Sequence, residues 1–348
     1  MFNYLPVVVH PDPWLELGKD SAINGGISNT GTVFGLGPSL AISPNGKPCT
    51  SWADGVLGKH EIYIRCWDGS AWEEVGIGSA SVGGVSNTPT DSLFPDLAIA
   101  PDGTIYVAWT EDWQNIYIRR WNGSLWEEVG EGSASGGGIS DSLAYSSYPS
   151  LVVAPDGTLY VAWTESLKNI NILHWNGIDW ETVGADSASG GGISNTVGDS
   201  RFPFLAVSPS GNLFVAWQYI NYDADYLSIY VRRWNGTIWE EVGLGSATGE
   251  GISVESNFVT RPSLAISMDE VPYISYIGII YVGNDNIITF RTKRWNGIEW
   301  ELVGDGWPVD NRLISNAEQE AIAISPDGFP CVAWSANSEY WDTTDIYI

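Results

Sequence analysis

Apolar and polar residues alternate over short stretches along the whole chain, which is the pattern of half-buried β-strands. TIYVAWTE is one such stretch, and no 3.6-residue helical period accompanies it anywhere in the sequence. The stretches form a repeat, because PSLAISPNG returns as PDLAIAPDG, PSLVVAPDG, PFLAVSPSG, PSLAISMDE and EAIAISPDG. The leading apolar residues of the six units are Leu40, Leu97, Leu151, Leu205, Leu264 and Ile322. Six units of similar length therefore span nearly the whole chain.

Each unit predicts four strands. The first strand ends at a Pro-Asp-Gly turn, a loop of variable length separates the second from the third, and an Asn-Gly step leads to the fourth. Asn-Gly favours a type I′ hairpin turn because both central residues need positive φ. Repeats of about 40–60 residues with four strands each are typical of propeller blades. The sequence thus predicts an all-β, six-bladed β-propeller, with residues 1–348 as a single domain.

The two ends of the sequence complement each other. The sixth unit reaches only its third strand, at residues 345–348, whereas residues 14–18 match a fourth strand. We therefore predict that the N-terminal strand completes the last blade and closes the ring, which removes an open sheet edge.

Tryptophan separates repeated positions from exceptional ones. Sixteen of the 19 tryptophans occupy repeat positions and are expected to pack between blades. Trp113, Trp307 and Trp341 fall in loops, where function is more common. The loops between second and third strands share one face with the blade connections, and this loop face carries the length variation. The ligand-binding residues predicted there are Trp113, Arg201, Tyr219, Tyr222, Asp223, Asp225, Arg261, Tyr340 and Trp341.

The net charge of the chain argues against two classes of binding partner. Fifteen Lys and Arg against 42 Asp and Glu give a net charge of −27, which disfavours nucleic acid and anionic membrane surfaces. No apolar stretch is long enough to insert into a membrane.

Cys49 and Cys66 lie on neighbouring predicted strands, so a disulfide and two buried thiols are both open alternatives. No cofactor is expected except calcium, for which residues 223–225, 284–286 and 342–345 offer oxygen ligands without EF-hand spacing.

The blade pattern resembles that of sialidases and other Asp-box repeat proteins. Of the Asp-box pattern S-x-D-x-G-x-T-W the chain keeps Gly123 and Trp126, while Trp121 stands at the Asp position. The resemblance implies an arginine cluster that binds a carboxylate, a tyrosine nucleophile paired with glutamate, and an aspartate acid/base. Arg201 and Arg261 match the family's F-R-I-P signature in part, and no Tyr–Glu pair can be assigned.

The predicted function follows from the loop face. Sugars stack their C–H faces on aromatic rings, and their hydroxyl groups bind Asp and Asn side chains, both of which this face offers. We therefore predict a non-catalytic, lectin-like binding protein rather than an enzyme, in an extracellular or cell-surface location. Its partner would be a glycan or an extracellular protein. The alternatives are a sialidase-like glycoside hydrolase and a protein-interaction scaffold.

Overall fold

The computed structural model describes residues 16–19, 21, 26–29, 36–56, 59–256, 258–282, 285–304, 307–308, 320–337 and 344–347. These residues form 25 β-strands and no helix.

The strands fall into six successive sheets, here called blades one to six. Blade one holds β1 (Leu36–Ile42), β2 (Pro48–Val56), β3 (Lys59–Trp67) and β4 (Trp72–Glu74). Blade two holds β5 (Ser92–Ile99), β6 (Ile105–Glu111), β7 (Asn115–Trp121) and β8 (Trp126–Glu128). Blade three holds β9 (Ser146–Val153), β10 (Leu159–Glu165), β11 (Asn169–Trp175) and β12 (Trp180–Thr182). Blade four holds β13 (Asp199–Val207), β14 (Leu213–Asn221), β15 (Tyr226–Trp234) and β16 (Trp239–Glu241).

Blades five and six depart from the four-strand form. Blade five holds β17 (Phe258–Val259), β18 (Ser263–Ile266), β19 (Pro272–Val282), β20 (Asp285–Trp295), β21 (Trp300–Leu302) and β22 (Trp307–Pro308). The described part of blade six holds β23 (Glu320–Ile324), β24 (Pro330–Asn337) and β25 (Thr344–Tyr347). All pairings are antiparallel, and the first strands of consecutive blades, from β1 through β5, β9, β13 and β18 to β23, contact one another. These first strands therefore surround a common axis, and the predicted all-β, propeller-like architecture is confirmed.

Repeated tryptophans fill the spaces between blades, as predicted. Trp109, Trp163 and Trp217 of the second strands are fully buried. At the outer rim, the rings of Trp121 and Trp126 lie 5.8 Å apart, and four other blades have the same pair. The Trp126 indole Nε1 also donates a 2.8 Å hydrogen bond to a carbonyl of the preceding blade. Each pair thus ties its own blade to the one before it.

The glycine-rich blade connections are structural. Gly138 has φ +62°, and a Cβ at this position would collide with the carbonyl oxygen of Ile116. That oxygen accepts a 2.9 Å hydrogen bond from Ile139 N, while Ile116 N donates to Ser140 Oγ at 3.1 Å. Only glycine allows the connection to approach the third strand this closely.

The N-terminal segment packs against blade one. Leu17 O accepts a 2.7 Å hydrogen bond from Trp72 Nε1, and Gly18 lies beneath the Trp67 ring. Gly76, which follows the fourth strand of blade one, lies beneath the Trp121 ring of blade two in the same way. In blades two to five, the glycine that follows the fourth strand of the preceding blade packs beneath a rim tryptophan. Residues 16–18 pack against blade one in the same way. Trp14 and Leu15 lie outside the described residues.

The cysteines include one disulfide. Cys49 and Cys66 face each other across β2 and β3 and are joined, which decides between the two alternatives left by the sequence. Cys331 is free and exposed. The described part of the chain has no helix of the length and apolarity that crossing a membrane needs.

Candidate functional site

One backbone position at the loop-face end of each first strand differs in side chain from blade to blade. It is the residue before a repeated proline, and in blades one to five it is Gly37, Phe94, Tyr148, Phe202 and Arg261. The first four have φ between +52° and +57°, in segments where the strand pairing shifts register. The shift takes the residue out of the regular ladder, so its side chain meets the equivalent side chain of the next blade.

The side chains from blades two to five form one cluster around the axis, here called the axial cluster: Phe94, Trp113, Tyr148, Phe202 and Arg261. The Phe94 and Tyr148 rings lie 4.5 Å apart, and Tyr148 and Phe202 lie 4.6 Å apart. Trp113 reaches over from the β6–β7 turn with its ring 5.2 Å from Phe94. The Arg261 guanidinium carbon lies 4.2 Å from the Phe202 ring centre and 5.0 Å from that of Tyr148. These rings, packed at tilted and edge-to-face angles beside a cation, offer apolar surface and hydrogen-bond donors together.

A second group, here called the Arg201 triad, adjoins the axial cluster because Arg201 immediately precedes Phe202. Arg201 Nη2 donates to Asp199 Oδ2 at 2.6 Å and to the Tyr222 hydroxyl at 3.1 Å. The Tyr222 hydroxyl donates to the same Asp199 oxygen at 3.0 Å. Arg201 Nε also donates to Leu167 O at 3.1 Å, which fixes the guanidinium against blade three. A phenol held between a carboxylate and a guanidinium can lose its proton to the first while the second stabilises the resulting charge.

Some predicted site residues lie elsewhere. Tyr219 is only 5% exposed, and its ring stacks 4.4 Å from that of Tyr230. Burial raises the pKa of the Tyr219 hydroxyl. This residue belongs to the core because β14 continues past Trp217 as a regular strand instead of entering a loop. It is therefore not part of the exposed site that the sequence predicted.

The remaining predicted residues are at the periphery or are not described. Asp223 and Asp225 lie at the exposed tip of the β14–β15 turn, where Asp223 N donates to Asn221 Oδ1 at 3.1 Å. Tyr340 and Trp341 lie outside the described residues. Of the predicted set, the structure brings together Trp113 and Arg261 in the axial cluster and Arg201 and Tyr222 in the triad.

Four members of these two groups were not predicted from the sequence: Phe94, Tyr148, Phe202 and Asp199. A signal was present for the first three, since the proline of each unit repeats while the residue before it changes. Asp199 had no comparable signal, because its contact with Tyr222 joins two strands 23 residues apart.

No metal site is seen in the part of the chain that the structure describes, where no three His, Cys, Asp or Glu side chains converge. Asp223 and Asp225 of the predicted calcium segments belong to that part. Asn284 and residues 342–343 lie outside it.

Solved structures show the same architecture. Ulvan lyase, a polysaccharide lyase described as PL25, has a TM-score of 0.57 and 14% identity, over 89% of this chain and 78% of its own. A protein of unknown function from Dyadobacter fermentans has a TM-score of 0.55 and 14% identity, over 90% and 93%. An α-L-arabinanase from Penicillium chrysogenum has a TM-score of 0.48 and 14% identity, over 87% and 89%. No protein-family model and no curated protein matches the sequence.

These comparisons correct the predicted function. The expectation of a non-catalytic, lectin-like protein is contradicted, and so is the expectation that the chain is not an enzyme. Ulvan lyase, which matches over 89% of this chain, is an enzyme that acts on a polysaccharide. At 14% identity the likeness establishes the propeller fold, and the reaction has to be argued from the residues of the site. The sialidase-like family and the extracellular location stay predictions.

Proposed function

We propose that the protein is a glycoside hydrolase that cleaves a neutral polysaccharide at the loop face, with the Arg201 triad as its reacting centre. The observation that carries the proposal is the Tyr222 hydroxyl, held 3.0 Å from the Asp199 carboxylate and 3.1 Å from the Arg201 guanidinium. The axial cluster beside it supplies aromatic rings on which a sugar can stack. A propeller that presents a glycan-cleaving site has a precedent of the same architecture in ulvan lyase.

The triad supports nucleophilic catalysis by tyrosine. As the Tyr222 oxygen attacks the anomeric carbon, its proton passes to Asp199, and the glycosidic C–O bond breaks. Arg201 stabilises the negative charge that develops on the phenol oxygen. An acid must protonate the departing oxygen, and Asp223 and Asp225 on the same turn are the candidates. Water then attacks the anomeric carbon and gives a proton to the carboxylate that served as the acid, the bond between the sugar and the tyrosine oxygen breaks, and Asp199 returns its proton to the phenol.

The charge of the protein favours a neutral substrate. The net charge of −27 repels polyanions, and exposed Asp112, Asp223 and Asp225 lie in the turns of the loop face. The Arg201 guanidinium is already paired with Asp199 at 2.6 Å, so it is engaged before a substrate carboxylate arrives. A neutral polysaccharide avoids both costs, which separates this proposal from the sialidase-like alternative.

The proposal is tested by assaying release of reducing ends from neutral polysaccharides, arabinan among them, and from acidic ones such as ulvan. Tyr222→Phe should lower kcat/KM on the substrate by about 100-fold or more, because it removes the reacting oxygen and keeps the ring. The melting temperature should not change, since Tyr222 is 66% exposed. Tyr145→Phe is the matched control, because Tyr145 is 65% exposed at the loop face and lies outside the triad.

Three outcomes would contradict the proposal. Full activity of Tyr222→Phe would remove the triad as the reacting centre. Absence of new reducing ends from every polysaccharide tested would show that the proposed hydrolase activity is wrong. An unsaturated product from ulvan, detected by its ultraviolet absorbance, would replace hydrolysis with β-elimination.

We also propose that six blades form one closed ring, in which residues 14–18 complete blade six. The contacts of Leu17 with Trp72 and of Gly18 with Trp67 support this closure. Deletion of residues 1–18 should lower the melting temperature by roughly 5 °C or more, since each kcal/mol lost shifts it by about 2–4 °C in chains of about 150–250 residues. Deletion of residues 1–9 is the control and should have a smaller effect. Equal melting temperatures of the longer deletion and the wild type would contradict closure by this segment.

A further inference from the structure

The residue before the repeated proline, here called the axial position, has a side chain in blades two to five but is glycine in blade one. Phe94, Tyr148, Phe202 and Arg261 follow one another around the axis, and the residue that precedes them in this series is Gly37. Each of the four side chains contacts the next, with separations of 4.5 Å, 4.6 Å and 4.2 Å. The series therefore begins at Phe94, because the equivalent residue of blade one, Gly37, has no side chain to place on its ring.

Backbone conformation does not explain the glycine. Gly37 has φ +56°, a value at which glycine is the usual choice because it lacks a Cβ. Yet Phe94, Tyr148 and Phe202 adopt +52°, +57° and +56° at the equivalent positions, each followed by proline as Gly37 is. The fold accepts an aromatic residue there three times.

Nor does crowding explain it. Among the residues that the structure describes, a Cβ built on Gly37 would meet Phe94 Cα at 3.8 Å, Phe94 Cδ1 at 3.9 Å and Pro95 Cδ at 4.0 Å. These are ordinary van der Waals distances. An aromatic side chain at Gly37 would thus contact Phe94 as Phe94 contacts Tyr148. The effect of glycine is that the axial residue of blade one places no side chain on that side of the Phe94 ring.

We propose that the Phe94 ring, on the side of Gly37, is a stacking subsite for one sugar ring of the substrate, and that Gly37 determines which rings fit. Trp113 is 43% exposed and contacts both Phe94 and Tyr148, at ring separations of 5.2 Å and 6.4 Å, so it adds a further aromatic surface beside Phe94. An apolar ring surface with a second exposed aromatic residue nearby suits the C–H face of a sugar. The subsite rests on the proposed function only for the nature of its ligand, a neutral glycan.

The test is Gly37→Phe, which gives blade one the residue that blades two and four already have. We expect an unchanged or higher melting temperature, because the new ring packs on Phe94. KM for the polysaccharide should rise by about tenfold or more, whereas kcat should stay within about twofold, because a lost subsite removes binding rather than chemistry. Gly37→Ala fills less of the space and should give a smaller increase in KM. Ile178→Phe, at an exposed hairpin tip on the opposite face, is the control for an added aromatic ring.

A binding measurement separates this inference from the hydrolase. Calorimetry with arabinan, galactan and xylan oligosaccharides is run on wild type, Tyr222→Phe and Tyr222→Phe/Gly37→Phe. Binding by the first two and at least about tenfold weaker binding by the third would support the subsite. Equal binding by all three would overturn the subsite and leave the hydrolase proposal standing. Binding that is lost with Gly37→Phe in a protein without activity would overturn the hydrolase and keep the subsite. If neither Gly37 variant folds, the premise that an aromatic residue fits is wrong.

Discussion

The outer rim and the axis of this propeller use aromatic side chains in opposite ways. At the rim, the same tryptophan pair recurs in five blades with ring separations of 5.6–6.0 Å. At the axis, one backbone conformation recurs while the side chain changes from glycine to phenylalanine and tyrosine. A residue that every blade keeps fills a space that every blade has. A residue that changes from blade to blade on a constant backbone is not needed for packing between blades and can bind a ligand instead. In this protein such residues come together in the axial cluster.

The largest difference is expected from Trp121→Ala. The Trp121 ring covers Gly76 of the preceding blade and contacts Trp126 of its own, so its removal opens a cavity between two blades. We expect a loss of about 3–5 kcal/mol in the free energy of unfolding. Chemical denaturation measures this loss, and kcat of the proposed hydrolysis, per folded molecule, should be unchanged.

Trp113→Ala is the matched comparison, since it removes the same side chain from the axial cluster. Trp113 is 43% exposed and lies on a turn, so its loss should cost less than about 1 kcal/mol of stability. KM for the glycan should nevertheless rise by about tenfold or more. If Trp113→Ala destabilised the protein as much as Trp121→Ala does, the distinction between rim and axis would fail.

The rim could be predicted from the sequence because it repeats. The pair formed by Gly123 and Trp126 recurs with the same spacing in five units, and a feature that recurs in this way can be located without knowledge of long-range contacts. The turn residues, the strand order and the packing role of the tryptophans followed from this regularity. The Cys49–Cys66 pairing was within reach for a similar reason, since hairpin register sets it.

The axis could not be predicted in the same way. The residue before each proline looked like one more position in an alternating strand, and only the shift in strand register directs Phe94 and Tyr148 towards each other. The end of β14 was also misjudged: the sequence placed Tyr219 among the loop-face residues, whereas the strand continues to Asn221. That difference buries Tyr219 and brings Tyr222 to Asp199. Contacts of this kind depend on where a strand ends, which local alternation does not encode.

A smaller effect, on the pH dependence of stability, is expected at a buried position near the axis where one blade differs from the others. Ser150 and Ser263 each accept a hydrogen bond from the first strand of the next blade, at 2.9 Å and 3.1 Å. Blade two has Asp96 at this position, and its carboxylate accepts bonds from Leu151 N at 2.6 Å and Ser39 Oγ at 2.7 Å. Burial raises the pKa of Asp96 from 3.8 to about 6, and the hydrogen bonds offset this only in part.

The sign of the pH dependence follows from that direction. In the unfolded chain the carboxyl loses its proton near pH 3.8, whereas in the folded protein it keeps it until about pH 6. The stability that Asp96 contributes is therefore complete below pH 3.8, declines between the two values and is lost above about pH 6. The difference between the two pKa values corresponds to an upper limit of about 3 kcal/mol.

Asp96→Ser gives blade two the residue found in blades one, three and five, and it should remove this decline. Chemical denaturation at about pH 5 and about pH 8 should show a smaller difference in unfolding free energy for the variant than for the wild type. Asp179→Ser, at an exposed hairpin turn, is the control and should keep the wild-type difference. An unchanged pH dependence in Asp96→Ser would mean that the axial carboxyl ionises as it does in water. The axis would then differ from the rim only at the loop face, where we propose that its side chains bind the substrate.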